Sequence, residues 1–160
     1  YNLVERIGDD VKAVDFMKIS ETVKVEVPKP HALKKYPFPS IIFKADYLVN
    51  VARIGNHPST TITGALKNLF GLVASKLKYV KYHPLGMDRV VADIAQIVKP
   101  NLNIVEASSK IVLSPDPLLA DIASCMLIGV DPLNVKHIRY VAEDTNRDLE
   151  SIIESIKGRL

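Results

Sequence analysis

Short runs of β-like alternation separated by helical stretches of about three turns constrain this chain more than any other feature. Val23, Val25 and Val27 alternate with Lys24 and Glu26, which reads as a half-buried strand ended by Pro28. From Lys29 to Pro39 the prolines recur, and the segment reads as an extended connector. Tyr47 to Ala52 (YLVNVA) is a short apolar run expected to be a buried strand, and Arg53 to Thr63 reads as a loop. Leu66, Phe70, Val73 and Leu77 then share one helical face. Asp88 is expected to cap a second helix that buries Val90, Val91, Ile94, Ile97 and Val98 before Pro100. Leu102 to Val105 and Ile111 to Leu113 read as strands. Asp116–Pro117 and Asp131–Pro132 repeat one helix-start signal, an acceptor followed by proline. The end of the chain, with Leu149, Ile152, Ile153 and Ile156, fits a helix or a terminal strand. This order predicts a single α/β domain, a layered and mainly parallel sheet flanked by helices.

The 160 residues include one cysteine, so no disulfide framework forms within the chain. Cys125 lies on an apolar stretch and is expected to be a small core residue. No apolar run reaches the roughly 18 residues of a membrane helix. No secretory n-region and h-region follow Tyr1, and a reducing, cytoplasmic setting is the default expectation.

The net charge of +3 is too small to argue for nucleic acid, yet it is an average over an uneven distribution. From Tyr47 to Met87, 41 residues contain no Asp or Glu. The same stretch carries Arg53, Lys67, Lys76, Lys78, Lys81, His57 and His83. Its loop follows a predicted strand, the place where open α/β sheets bind ligands. Within HPSTTITGALKNLFG, Thr60, Thr61 and Thr63 offer hydroxyls, Thr63 could cap the helix, and Gly64 permits close backbone approach. Lys67 lies one turn in, so loop and helix start together suit a phosphate or carboxylate. The spacing is not that of a P-loop, and the threonines could equally do no more than cap and solvate a helix start.

His57 and His83 are the best candidates for a proton carrier or a ligand. Neither stands in a metal-binding spacing, so no metal is expected. His31 and His137 read as ordinary surface or connector residues. Asp46, Asp93 and Asp121 interrupt apolar stretches, where a carboxylate must be paired or hydrogen-bonded. Asp93 is the one of the three placed with His57 and His83 as a catalytic candidate. The run KYVKY interleaves Tyr79 and Tyr82 with Lys78 and Lys81, which would suit nucleic acid or a redox protein partner. A solvated helix end explains the same residues.

ADYLVNVARIGNHPSTTITGALKNLFG, Ala45 to Gly71, resembles the domain-of-unknown-function family numbered 362, most closely over TGALKNLFG. His83, VVADIAQIVKPNLNIVEA and SPDPLLAD follow the family's order. By resemblance, Asp46, Asn50, His57, Thr63, Gly64, Lys67, Asn68, Gly71, His83, Asp93 and Asp121 match its pattern. Gly55 stands where the family usually has a lysine, with Arg53 nearby. The resemblance implies iron–sulfur chemistry in some members, supplied by Cys-x-x-Cys repeats that this chain lacks. It also implies a strand–helix unit ahead of Tyr1 and a glycine-rich loop where only Ser108, Ser109 and Lys110 now stand, hence an incomplete version of a larger domain. The expectation is an α/β protein that binds a small anionic ligand through Arg53, Thr60, Thr61, Thr63, Gly64, Lys67 and Asn68. His57, His83 and Asp93 are its candidate catalytic groups, for redox or group-transfer chemistry linked to iron–sulfur chemistry elsewhere, and the cofactor is unknown. The alternative is a non-enzymatic binding module using segment 76–83.

Overall fold

The computed structural model describes residues 11–159. Strands β1 (Thr22–Glu26) and β2 (Lys35–Pro39) form an antiparallel hairpin with Val25 opposite Tyr36 and Val23 opposite Phe38. The expected proline connector is therefore half strand. A two-stranded ribbon leaves one edge of each strand unpaired, so Pro37 and Pro39 are tolerated. Between and before them, Tyr36 and Phe38 point inward and are fully buried.

A one-turn helix, α1 (Ile41–Lys44), leads to β3 (Val49–Arg53). β3 runs parallel to β6 (Leu102–Ala107), which pairs antiparallel with β7 (Lys110–Ser114), giving the order β3-β6-β7. Inside the expected loop stands a small antiparallel hairpin, β4 (Gly55–His57) and β5 (Thr61–Thr63). Helix and sheet are thus mixed, but the mainly parallel sheet does not emerge among the described residues: one of four strand pairings is parallel. The reason is local. Only Ser108 and Ser109 join β6 to β7, with Ser108 at φ 58°, and so short a connection closes only an antiparallel pair. The strand–helix unit expected ahead of Tyr1 lies outside the described residues.

The YLVNVA run is not buried on both sides. Asn50 faces the core, while Tyr47, Val49 and Val51 are exposed. Nor does one helix span 66–77. Helix α2 (Ala65–Asn68) passes into a 3₁₀ turn, Leu69–Leu72, and stops. The chain turns away because the Ala74 N–H donates to the Pro37 carbonyl at 2.9 Å, tying it to β2. Leu66 and Val73 still reach the core, but Leu77 is exposed.

Helix α3 (Lys78–Tyr82) and a 3₁₀ turn precede α4 (Met87–Ile97), whose N-cap is Gly86 rather than Asp88. Asp88 sits in the first turn and accepts from the His137 N–H at 3.2 Å. Asp116 caps α5 (Pro117–Leu127) as expected, accepting from the Leu118 N–H at 2.8 Å. Asp131 caps only a 3₁₀ turn, Pro132–Asn134, after which α6 (Lys136–Asp144) begins. The chain's last apolar stretch is helical, α7 (Leu149–Lys157), capped by Asp148. The core joins Tyr36, Phe38 and Leu66 to Ile94, Ile122 and Ile138. Cys125 lies within it, and burial pushes its thiol up to about 12. Among the described residues no helix is long and apolar enough to cross a membrane.

Candidate functional site

The start of α2 was expected to offer free N–H groups to an anion. The fold fills that role from within. Asp121, fully buried on α5, accepts from the Ala65 N–H at 2.6 Å and the Leu66 N–H at 3.0 Å. Gly64 is what allows this approach. Its backbone is extended, which any residue adopts, but a Cβ there would stand 2.8 Å from Asp121 Cγ. Thr63 does not cap the helix; its hydroxyl donates to the Arg53 carbonyl at 2.9 Å.

Desolvation raises the Asp121 carboxyl to about 6 despite the two N–H donors and the field of His137, which favour its charge. A raised carboxyl binds its proton more tightly in the folded than in the unfolded chain. Stability from this group is therefore full below about pH 4 and is lost as pH rises to about 6, roughly 3 kcal/mol in all. A carboxyl-carbon titration should place the Asp121 midpoint near pH 6, and a midpoint near 4 would contradict this account.

Three asparagines fasten α2 to the sheet. Asn50 donates to the Ala65 carbonyl at 3.0 Å and to Asn103 Oδ1 at 2.9 Å. Asn68 donates to Asn50 Oδ1 at 2.7 Å and to the Val51 carbonyl at 3.0 Å, and Asn103 reaches the Ser114 carbonyl on β7. Asn68, expected to bind ligand, is thus also a strut between helix and strand.

The other expected ligand groups divide. Thr60 is buried and donates to the Ile62 carbonyl at 2.8 Å. Thr61 is exposed with φ 63°. Arg53 extends into solvent 3.7 Å from Glu106. Lys67 is different. It is partly buried, burial pulls its ammonium below the ordinary lysine value, and among the described residues it has no hydrogen-bond or ion-pair partner. It lines a cavity of about 240 Å³ together with Arg53, Thr63, Gly64, Asn68 and Phe70.

His57 belongs to the same neighbourhood. Its Nδ1 accepts from the Ser59 N–H at 3.2 Å, which leaves the neutral ring's proton on Nε2. Burial pulls its pKa down, and the charges of Lys67 and His83 pull it further, against an opposing pull from Asp88. Lys67 and His83, chosen from distant positions in the sequence, therefore both act on His57. His83 also packs against the Tyr79 ring, centroids 5.1 Å apart.

Asp93 is not brought to this group by any contact. It is fully buried on α4 and accepts from the N–H groups of His31 (2.6 Å), Ala32 (3.0 Å) and Leu33 (3.0 Å) and from the Tyr36 hydroxyl (2.7 Å). Its four donors hold the loop between β1 and β2, which is a structural role. Asp46 is exposed at the end of α1. The basic segment is partly consumed by the fold. Tyr82 is fully buried against Tyr36 and Phe70, and Lys78 donates to the Gly71 carbonyl at 2.6 Å. Lys76, Tyr79 and Lys81 remain exposed.

Sequence reasoning missed the side-chain contacts made by the C-terminal segment. His137 is fully buried, not a surface residue, and its Nδ1 lies 2.8 Å from Asp88 Oδ1. His31 Nε2 lies 2.9 Å from Asp144, which also accepts from Gln96, and Arg147 pairs with Asp116. These partners lie 31 to 113 residues apart, and no local pattern announces them.

The model of one family, described as "Domain of unknown function (DUF362)", matches residues 3–135. The chain belongs to the DUF362 family. The matched span holds the whole group from Arg53 to Asp121 and ends before α6, so the three contacts join DUF362 residues to residues that follow the match. Neither the curated proteins nor the solved structures include a match. This DUF362 chain does not fit an iron–sulfur cluster by its own residues: its one cysteine is buried and its thiol is held protonated. Among the described residues no three His, Cys, Asp or Glu gather as metal ligands.

Proposed function

We propose that this protein binds a small anion, of the phosphate or carboxylate class, at the cavity lined by Lys67, with His57 and His83 as groups whose proton can be exchanged. The observation that carries this reading is the desolvated ammonium of Lys67, which has no counter-charge among the described residues. A half-buried cation is costly unless something pairs it. Asp121, the carboxylate beneath the same helix, is turned to the backbone of α2. The depressed pKa of His57 supports the same reading: burial is its main cause, and the positive fields of Lys67 and His83, which an anion would neutralise, add to it. The cavity is favoured over segment 76–83 because Tyr82 and Lys78 are committed to the fold.

Inorganic phosphate titrated into the protein should raise the His57 pKa toward the ordinary imidazole value. Lys67→Ala should weaken phosphate binding about tenfold or more, the size of one charge-assisted contact. It should also raise the His57 pKa without phosphate, because a repelling charge is gone. Equal phosphate affinity in the two proteins, or none in either, would remove this site.

A further inference from the structure

Strands β3, β6 and β7 present two unlike faces. On one, Asn50, Asn103, Val105, Ala107 and Ser114 are buried beneath α2 and α5. On the other, the register sets Val49 beside Leu102, aligns Val51, Ile104 and Leu113 in one row, and places Ile111 opposite Glu106. Val51, Ile111 and Leu113 are 65%, 68% and 64% exposed, and Val49 is exposed beside them. A contiguous aliphatic face of this kind is unusual on a free monomer, and a parallel pair such as β3–β6 is normally covered on both sides.

We propose that this face is a homodimer interface, closed by a second copy of the chain packing face to face across a two-fold axis. Size is the first argument. At roughly 100 Å² for a side chain, the exposed aliphatics and the half-covered Leu102 and Ile104 supply on the order of 500 Å². The adjoining groove of about 260 Å³, which Val49 and Val51 share with Phe16, Leu69 and Leu72, extends the patch toward the roughly 800 Å² that each partner contributes to a standard interface. Charge is the second. Arg53 and Glu106 stand 3.7 Å apart, side by side at one end of the face, so a two-fold axis along the strands between β3 and β6 sets each against the opposite charge of the other copy. The third argument separates face packing from strand addition. Leu48 accepts from Leu102 and Ile54 donates to Glu106, so even-numbered residues of β3 bond to β6 and odd-numbered ones point their backbone groups outward. Two of those outward carbonyls, on Val51 and Arg53, are already taken by Asn68 and Thr63. The edge is blunted while the face is bare.

Light scattering or sedimentation of the full chain over about 1–100 µM tests this. The mass should move from 17.7 kDa to twice that value as concentration rises. Val51→Lys with Leu113→Lys should hold it at 17.7 kDa throughout while keeping a cooperative melt. Should the lysine pair prevent folding, Val51→Thr with Leu113→Thr, which suits strands, should raise the midpoint concentration at least tenfold. A chain that stays monomeric at the highest concentration, or a dimer indifferent to these substitutions, overturns the proposal, including the case in which some other polypeptide covers the face.

Discussion

Gly64→Ala should destabilise the protein by about 3 kcal/mol or more, although it adds a single methyl group. The new Cβ would meet the Asp121 carboxylate, 2.8 Å from Cγ and 2.9 Å from Oδ2. Neither side has room to yield. Asp121 is fully buried and held by the Ala65 and Leu66 N–H groups, and α2 is fastened to β3 through Asn50 and Asn68. If the methyl pushes the carboxylate aside, two buried N–H donors lose their acceptor and a buried charge loses its partners, each a cost comparable to the overpacking itself. Urea unfolding measures the loss. A second substitution, Asp121→Ala, removes the clash but also the cap, so the pair should lose less than the sum of the two single changes. A Gly64→Ala variant as stable as the parent would show that the chain at this point moves freely.

Asp93→Asn should cost about 3–5 kcal/mol. The carboxylate accepts from three backbone N–H groups and one hydroxyl, all converging on a group with no exposure. An amide keeps one acceptor oxygen and replaces the other with an NH₂ facing donors. The effect should be local before it is global. Amide exchange at His31, Ala32 and Leu33 should speed up at urea concentrations where the rest of the core is still protected. A loss under about 1 kcal/mol would mean that water satisfies these donors equally well.

These two carboxylates also show what could be read from the residue order and what could not. That Asp93 and Asp121 needed partners was legible, because each interrupts an apolar helical stripe. Which partners they have was not, because the donors lie 55 to 62 residues away. The helices of the second half were legible in part, from the Asp116–Pro117 start and the spacing of Val90, Val91 and Ile94, whereas Asp131–Pro132 opens only a 3₁₀ turn ahead of α6. The hairpin of β1 and β2 was obscured because Pro37 and Pro39 overshadow the alternation of Tyr36 and Phe38. The helix expected to run to Leu77 ends early for a tertiary reason, the bond from Ala74 to Pro37, that no propensity contains. In the candidate site the charge pattern drew attention to His57, Lys67 and His83, and the fold sets His57 within the electrostatic reach of the other two. The threonines and Asn68 were chosen for their hydrogen-bonding groups, yet much of that capacity closes onto backbone carbonyls, as the local donors of loops often do.

The inward carboxylate of Asp121 has a consequence for how a ligand would be told from its neighbours. Backbone N–H groups at a helix start form a fixed mould that reads the outline of a phosphate or a carboxylate. Here that mould already holds a permanent occupant, tethered by its own side chain. Recognition in the proposed cavity then falls to an ammonium on a flexible stem and to imidazoles whose charge follows pH. A receptor of that kind weighs charge ahead of contour. It should rank anions by valence more sharply than by shape, and its grip should slacken as salt rises.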